Sequence, residues 1–347
     1  MPSRDELRRD FIARSHDEAP VAYLPAIGTS TACGDARGDL CAFSDLGPCV
    51  VAIGAFDGVH RGHGVLLQAA VSEARARGMA ALAVTFDPDP DAVVAPSPAR
   101  KLTLTGDRLA LLAGHGIDAV AVIPFSRELA ALDAGSFFTD VLFSHLDVRS
   151  IHVGSNFRLG RGAAATAVDI AAWCAGRGVS VHAHDLVLDD GAPISSTRIR
   201  AHLTEGDLAS AERELGRRYL LRGRVHTGRG EGTGMGFPTA NIIVDPVLQV
   251  PAEGVYSGLA LVEGTVWPAA INVGKPPTFR DRPESASLEA NLIGFSGDIY
   301  GDEFSLVFAE RLRGLVKFDS VDDLVRTVLG NIQTVRETFG EEGVRLA

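Results

Sequence analysis

The stretch that decides the fold is "CVVAIGAFDGVHRGHGVLLQAAVSEARARG", Cys49 to Gly78. Its apolar, β-branched opening reads as a buried strand, and its closing part from Gly64 reads as a helix. Between them lies "AFDGVHRGH", Ala55 to His63. Gly54 and the Asp57-Gly58 pair give a backbone that turns tightly and can approach a ligand closely. His60, Gly62 and His63 then fall where the helix begins, and the free N–H groups and dipole of a helix start favour bound phosphate. Two imidazoles flanking a glycine add donors that can follow charge onto a leaving pyrophosphate. That chemistry is nucleotidyl transfer at the α-phosphorus of a nucleoside triphosphate. The plainer alternative is two surface histidines beside a turn, and the strand before and helix after weigh against it.

Outward from this stretch, strands and helices alternate from Cys49 to about His184. Apolar runs at "CVVAIGAF", "MAALAVTF", "DAVAVIPF", "SIHVG" and "VSVHAH" are separated by helical stretches at 64–77, 106–114, 134–146 and 166–177. This order predicts a Rossmann-like α/β domain, a parallel sheet with helices on both faces and ligands at the carboxyl ends of its strands. From about Tyr219 the texture changes to short strands with Gly/Pro punctuation: "YLLRGRVHTG", "FPTANIIV", "GVYSGLALVEG", "VWPAAINVG", "SLEANLIGF" and "FSLVFAERLR". They predict a small antiparallel barrel. A closing helix follows over 319–339, with Val321, Leu324, Val325, Val328, Leu329, Ile332, Val335 and Phe339 on one stripe and Ser320 and Asp323 capping its start. The division is therefore an extension over 1–47 with no assigned role, an α/β domain over 48–216 and a barrel domain over 217–347.

Composition narrows the function. The chain of 347 residues is long enough for two cores, and its net charge of −11 argues against a broad nucleic-acid footprint. Cys33, Cys41, Cys49 and Cys174 show no C-x-x-C spacing, so they read as reduced structural thiols rather than a zinc site. The charged start "MPSRDELRRDFIARS" is no secretory signal, and no apolar run approaches membrane-spanning length. A cytoplasmic protein without membrane or nucleic-acid partners is expected, with its oligomeric state left open.

Two further stretches carry chemistry. "ISSTRIR", Ile194 to Arg200, offers hydroxyls from Ser195, Ser196 and Thr197 and cations from Arg198 and Arg200 at a helix start. It fits either a triphosphate clamp or an ordinary helix cap with solvated arginines. "HTGRGEGTGMGFPTANI" carries glycines at 228, 230, 232, 234 and 236 but lacks the G-x-G-x-x-G spacing, and a Pro-containing strand follows instead of a helix. "NVGKPP" is not a P-loop. A glycine flap over a nucleotide, with Thr239 and Asn241 offering oxygens to Mg²⁺, stands beside the reading of a simple glycine-rich hairpin. In "SLEANL", strand alternation sets Leu288, Ala290 and Leu292 on one face and Ser287, Glu289 and Asn291 on the other.

"GAFDGVHRGH", "TFDPDP", "VGSNFRLG", "ISSTRIR", "GFPTAN", "EGVYSG", "INVGKPPTF" and "SLEANLIGFSGDIYG" occur in an order that resembles the bacterial bifunctional riboflavin kinase/FAD synthetase family, over about residues 48–340. The resemblance implies an FMN adenylyltransferase module followed by a six-stranded riboflavin kinase barrel, with ATP as co-substrate, flavins as substrates and products, and Mg²⁺. It implies an ATP site at Gly54, Phe56, Asp57, Gly58, His60, Gly62 and His63, with the two histidines catalytic. It further implies flavin or nucleotide contacts from Asn156, Phe157 and Arg158, and phosphate contacts from Ser195, Ser196, Thr197 and Arg198, Arg198 counting as catalytic. In the kinase it implies ATP contacts at Gly236, Phe237, Pro238 and Thr239, metal contacts at Thr239 and Asn241, and Glu289 as the base that accepts the ribityl hydroxyl proton.

The chain departs from the family pattern at six places. Asp89 stands where histidine is usual in "TFDPHP", and Ala165 where a glycine is usual. Glu231 and Thr233 replace arginines in the flap, Pro276 stands where arginine is common, and Asn291 where histidine often follows the catalytic glutamate. Losing a cation beside a triphosphate weakens its binding by ~0.5–2 kcal/mol. Two rivals to the bifunctional reading therefore stand: a divergent paralogue with one active half or an altered flavin preference, and a non-catalytic flavin-binding sensor or storage protein.

Overall fold

The computed structural model describes residues 1–11, 19, 21–24, 46–226, 237–274 and 287–346. The chain divides into two compact units. One comprises Arg14–Ala99 and Thr103–Ser195, the other Met1–Ala13, Arg100–Leu102 and Ser196–Ala347.

The first unit is built on a six-stranded parallel sheet. Its strands are β1 (Val21–Tyr23), β2 (Pro48–Ile53), β3 (Ala80–Asp87), β4 (Ala119–Pro124), β5 (Asp147–Gly154) and β6 (Ser180–His184), in the order β1-β4-β3-β2-β5-β6. Because β3 and β4 extend the sheet to one side of β2 and β5 to the other, the topological switch lies at the end of β2, where open α/β sheets bind ligands. Both faces of β2 are apolar. Val51 and Ile53 join one core with Leu82, Val84, Ile151 and Val153. Val50 and Ala52 join the other with Leu66, Leu67, Ala70 and Ala74 of the helix over Arg61–Arg77. Further helices cover Thr105–Ala113 and Ala167–Ala175. Over 134–146, where the sequence predicts one helix, the chain forms a short α-helical turn at Ala134–Ser136 and a π-helix at Phe137–Leu142.

In chain order, the helices named below are α1 (Arg4–Phe11), α2 (Arg61–Arg77), α3 (Thr105–Ala113), α4 (Ala167–Ala175), α5 (Ser196–Glu205), α6 (Leu208–Leu215) and α7 (Val321–Phe339).

The second unit is a closed antiparallel barrel of six strands: β7 (Tyr219–His226), β8 (Ala240–Val244), β9 (Gly254–Val262), β10 (Thr265–Gly274), β11 (Ser287–Leu292) and β12 (Glu303–Arg313). They are ordered β9-β12-β7-β8-β11-β10, and β10 pairs back onto β9 to close the ring; a short β13 (Val344–Arg345) extends β10. Alternate residues such as Ile242, Leu288, Ala290, Ile271 and Val273 fill the interior. The helices α5 and α6 also group with this unit, so the division falls after Ser195 rather than near residue 216.

The described parts of the extension over 1–47 belong to both units. Strand β1 adds a parallel edge to β4, pairing Val21 with Val120. Helix α1 belongs to the barrel unit, where Leu7 and Phe11 are buried. The buried Asp10 accepts hydrogen bonds from the backbone N–H of Arg218 at 3.2 Å and from its guanidinium at 2.8 Å. Arg222 donates to the carbonyl of Phe11 at 3.1 Å. The stripe on α7 needs correction: only its second half, Ile332, Val335 and Phe339, is buried, while Val321 and Leu329 are exposed. Ser320 does cap the helix, accepting from the Asp323 N–H at 3.1 Å.

Candidate functional site

At the switch point, β2 ends and the chain makes a strained turn. Phe56 (φ 54°), Gly58 (φ 79°) and Val59 (φ 39°) all adopt left-handed backbone, which costs energy for the two non-glycine residues. Buried hydrogen bonds hold the turn. The Thr103 backbone N–H donates to Asp57 Oδ1 at 3.2 Å, and the Gly58 N–H donates to the Thr103 hydroxyl at 3.2 Å. The Ala55 carbonyl accepts from the Thr85 hydroxyl at 3.1 Å and from Arg108 at 2.9 Å. Arg108, only 1% exposed, also donates to the Phe86 carbonyl at 2.8 Å and forms a short ion pair with Asp89. Asp89, the residue standing in for a family histidine, is thus the counter-ion of a buried arginine beneath the turn.

The turn delivers His60 to the N-cap of α2, where its Nδ1 accepts from the His63 N–H at 3.3 Å. Nδ1 being an acceptor, the neutral His60 ring carries its proton on Nε2. The His60 and His63 rings stack with centroids 3.6 Å apart, and the edge contact of the buried Phe56 with His63 sets a 5.2 Å separation. Gly62 lies close under the pair: a Cβ there would sit 3.2 Å from the His60 ring, a tight contact that the ring would have to yield to. The structure therefore brings together Gly54, Phe56, Asp57, Gly58, His60, Gly62 and His63 as one element.

The other α/β candidates stand as follows. Asn156 and Arg158 are exposed and Phe157 half-buried, on the turn that leaves β5. That turn is fixed by the Ser155 N–H to the His184 carbonyl at 2.7 Å and the Phe157 N–H to the Gly154 carbonyl at 2.9 Å. Ala165 sits in a two-residue ladder opposite Leu159. Ser195 precedes α5, and Ser196, Thr197 and Arg198 form its first turn. Arg198 pairs at 2.9 Å with Glu214, which is fully buried and also accepts from His202 at 3.2 Å. Part of the Arg198 charge is therefore already met by its own helical hairpin.

In the barrel, Glu289 of β11 faces Asn241 of β8 on one side and Asn272 of β10 on the other. All three are half-buried and lie on the face opposite the interior Leu288 and Ala290. Thr239, half-buried, lies just before β8 and two positions before Asn241. Phe237 is buried and Pro238 exposed. Asn291, where the family has histidine, is buried and donates from Nδ2 to the Pro238 carbonyl at 2.8 Å, tying β11 to the "FPTAN" segment. Gly236 lies outside the described residues, as do Glu231, Thr233 and Pro276. Sequence reading missed Asn272, Thr103, Thr85 and Arg108; of these Thr85 falls in the quoted motif "TFDPDP" and Asn272 in "INVGKPPTF".

The described residues thus present two separate polar groups, an imidazole pair at a helix start and a carboxylate between two asparagines in register on a barrel wall. The comparisons agree. Family models match residues 43–198 as FAD synthetase and residues 215–339 as riboflavin kinase. The bifunctional riboflavin kinase/FMN adenylyltransferase of Escherichia coli K12 is 35% identical over 295 residues, 84% of this chain and 93% of that protein. The enzymes of the same description from Pseudomonas fluorescens and Bacillus subtilis are 32% and 31% identical, over 83% and 80% of this chain and 92% and 89% of their own lengths. The chain belongs to the bifunctional riboflavin kinase/FMN adenylyltransferase family. Its fold is also that of a solved Streptococcus pneumoniae structure described as a macrolide-efflux protein, with TM-score 0.76 and 29% identity over 84% of this chain and 96% of that one. Among the described residues here, no helix is long and apolar enough to cross a membrane.

Proposed function

We propose that the chain phosphorylates riboflavin to FMN in the barrel and adenylylates FMN to FAD and pyrophosphate in the α/β domain, each step using one ATP. The observation that carries the reading is the register placing Glu289 between Asn241 and Asn272 in a chain that also holds the His60–His63 stack. A mere binding protein has no need of both.

In the kinase reaction the ribityl hydroxyl must lose a proton as its oxygen attacks the γ-phosphorus, and Glu289 is the group to accept it. Asn241 and Asn272 flank that carboxylate in register on the neighbouring strands. Thr239, Asn241 and Glu289 are all oxygen donors, the set that Mg²⁺ requires, so Thr239 and Asn241 fit as its protein contacts. When bound, the ion supplies charge neutralisation along the ATP phosphates. Gly236, Phe237, Pro238 and Thr239 form the ATP contact, with Asn291 positioning Pro238.

In the adenylyl transfer an FMN phosphate oxygen forms the bond to the α-phosphorus of ATP, and the bond to the bridging oxygen of pyrophosphate breaks. The phosphate nucleophile is already ionised, so no base is needed. His60 and His63 hold donors at the α2 N-terminus, where negative charge accumulates on the leaving group. Gly54, Phe56, Asp57, Gly58 and Gly62 shape the ATP loop. Ser195, Ser196, Thr197 and Arg198 grip phosphates, and Asn156, Phe157 and Arg158 contact the flavin or nucleotide. The free, buried thiols of Cys49 and Cys174 support a reducing, cytoplasmic setting; Cys33 and Cys41 lie outside the described residues.

The test is to incubate the protein with riboflavin, ATP and Mg²⁺ and separate the flavins by chromatography. FMN should appear first and FAD should follow it. Accumulation of FMN alone would remove the α/β assignment, FAD formed only from supplied FMN would remove the kinase assignment, and unchanged riboflavin held tightly would favour the sensor.

A further inference from the structure

Outside both sites, one group of metal-ligating side chains stands out among the described residues: Glu73, His152 and His182, whose ligand atoms lie within 4.8 Å of one another. They come from three elements of the α/β unit, namely α2, the inner strand β5 and the edge strand β6. Glu73 Oε2 is 2.7 Å from His152 Nε2 and 3.4 Å from His182 Nε2. Tetrahedral coordination at Zn–N and Zn–O lengths sets ligand atoms about 3.3 Å apart, so the group needs side-chain adjustment to open around an ion, and the two Glu73 separations bracket that spacing.

We propose that Glu73 Oε2, His152 Nε2 and His182 Nε2 form a binding site for a divalent transition ion of the zinc type, with a fourth position open to solvent. The outer contacts are those such a site needs. His152 Nδ1 lies 2.8 Å from His184 Nε2, so a metallated His152 can hold its proton on Nδ1 and donate it there, fixing the ring. The other carboxylate oxygen, Glu73 Oε1, is held by Arg77 at 2.6 Å, and the Ser150 hydroxyl donates to Oε2 at 3.0 Å. His182 is 49% exposed at its side chain, which leaves an entry path. Two imidazoles and one carboxylate suit zinc, and Mg²⁺, which prefers oxygen and retains its waters, is a poor competitor. The ion would pin a sparsely buried edge strand, β6, to α2 and β5.

Full-length protein stripped with a chelator and held in excess Mg²⁺ is titrated with Co²⁺, read by visible absorption. One equivalent per chain should give the intense d–d bands of a four-coordinate site, and Zn²⁺ should bleach them. His182→Gln and Glu73→Gln should abolish the bands, while His184→Gln, touching only the outer contact, should weaken Co²⁺ binding about 10–100-fold. Zn²⁺ should also raise the melting temperature of the wild-type chain and leave that of His182→Gln unmoved. His182→Ser serves as a second replacement, and both variants are compared with the metal-free wild type by melting temperature. Absence of saturable bands, or bands that persist in folded His182→Gln or His182→Ser and vanish only when His63 is replaced, would overturn the site.

Discussion

The loop after β2 and the wall formed by β8, β11 and β10 are built by different means for the two phosphate reactions proposed for them. In the first, backbone does most of the work: a strained turn, a helix N-terminus and a glycine that admits a stacked imidazole pair. In the second, side chains on a regular antiparallel ladder present a carboxylate between two amides. The difference follows the nucleophiles. A phosphate arrives ionised and needs only placement and charge stabilisation, so strain and dipoles suffice. An alcohol must be deprotonated, which calls for a titratable group held at a set position. The two sites also differ in support. The α/β loop rests on a buried guanidinium that ties together Ala55, Phe86 and Asp89, whereas the kinase row is half-buried on a barrel whose interior is apolar.

The sharpest way to break this contrast is Glu289→Gln. It should lower FMN formation by about 10²–10⁴-fold and leave FMN adenylylation unchanged, measured by chromatography from riboflavin and from FMN separately. Loss of both activities in folded protein would show that the sites are not separate. Next in size is Asp89→Ala, which strands Arg108 in the core and should destabilise the α/β unit by ~3–5 kcal/mol. The chain has two tryptophans, Trp173 in the α/β unit and Trp267 in the barrel. In a Trp267→Phe background, the urea midpoint read by Trp173 fluorescence should therefore fall, and in a Trp173→Phe background the barrel midpoint should stay in place. His63→Ala should slow FAD formation from FMN by about 10²–10³-fold without affecting the kinase, the size of losing one donor to developing charge.

The smallest effect concerns pH. Burial holds His152 and, with the neighbouring His182, His184 below the ordinary imidazole range, so both are neutral when folded near neutrality. The unfolded chain binds more protons than the native one once pH falls through about 6.5, so stability is retained above that value and lost progressively below it. Burial tends to raise Glu73, but hydrogen bonds from Arg77, His152 and Ser150 outweigh it and leave its carboxyl lowered, which adds to the loss at more acidic pH. The melting temperature reported by Trp173 should therefore drop on acidification before that reported by Trp267.

Local signals carried much of the fold. Alternating strand and helix periods, the histidines at a helix start and the inward Leu288 and Ala290 of "SLEANL" are properties of adjacent residues and appear in the structure, although Asn291 is buried against expectation and the helix expected over 134–146 is a short turn and a π-helix. Long-range features were not legible. "RDELRRDF" falls in the extension to which the sequence assigns no role, because what buries Leu7, Asp10 and Phe11 is a barrel more than two hundred residues away. Asp89 and Arg108 each resemble solvated charges until the folded chain sets them against each other. Asn272 becomes a neighbour of Glu289 only through the register of β10 on β11. The α7 stripe shows the converse error, since its apolar period continues past the surface that its second half covers.

The docking of α1 has a consequence for how the chain is made. Asp10 leaves the ribosome early, but its partner Arg218 is 208 residues further on, so the first helix must wait while the whole α/β unit is synthesised. The barrel is thus interrupted in sequence by its companion, and a kinase half excised at residue 217 would be born without the helix that neutralises Arg218 and shields the strand beside it.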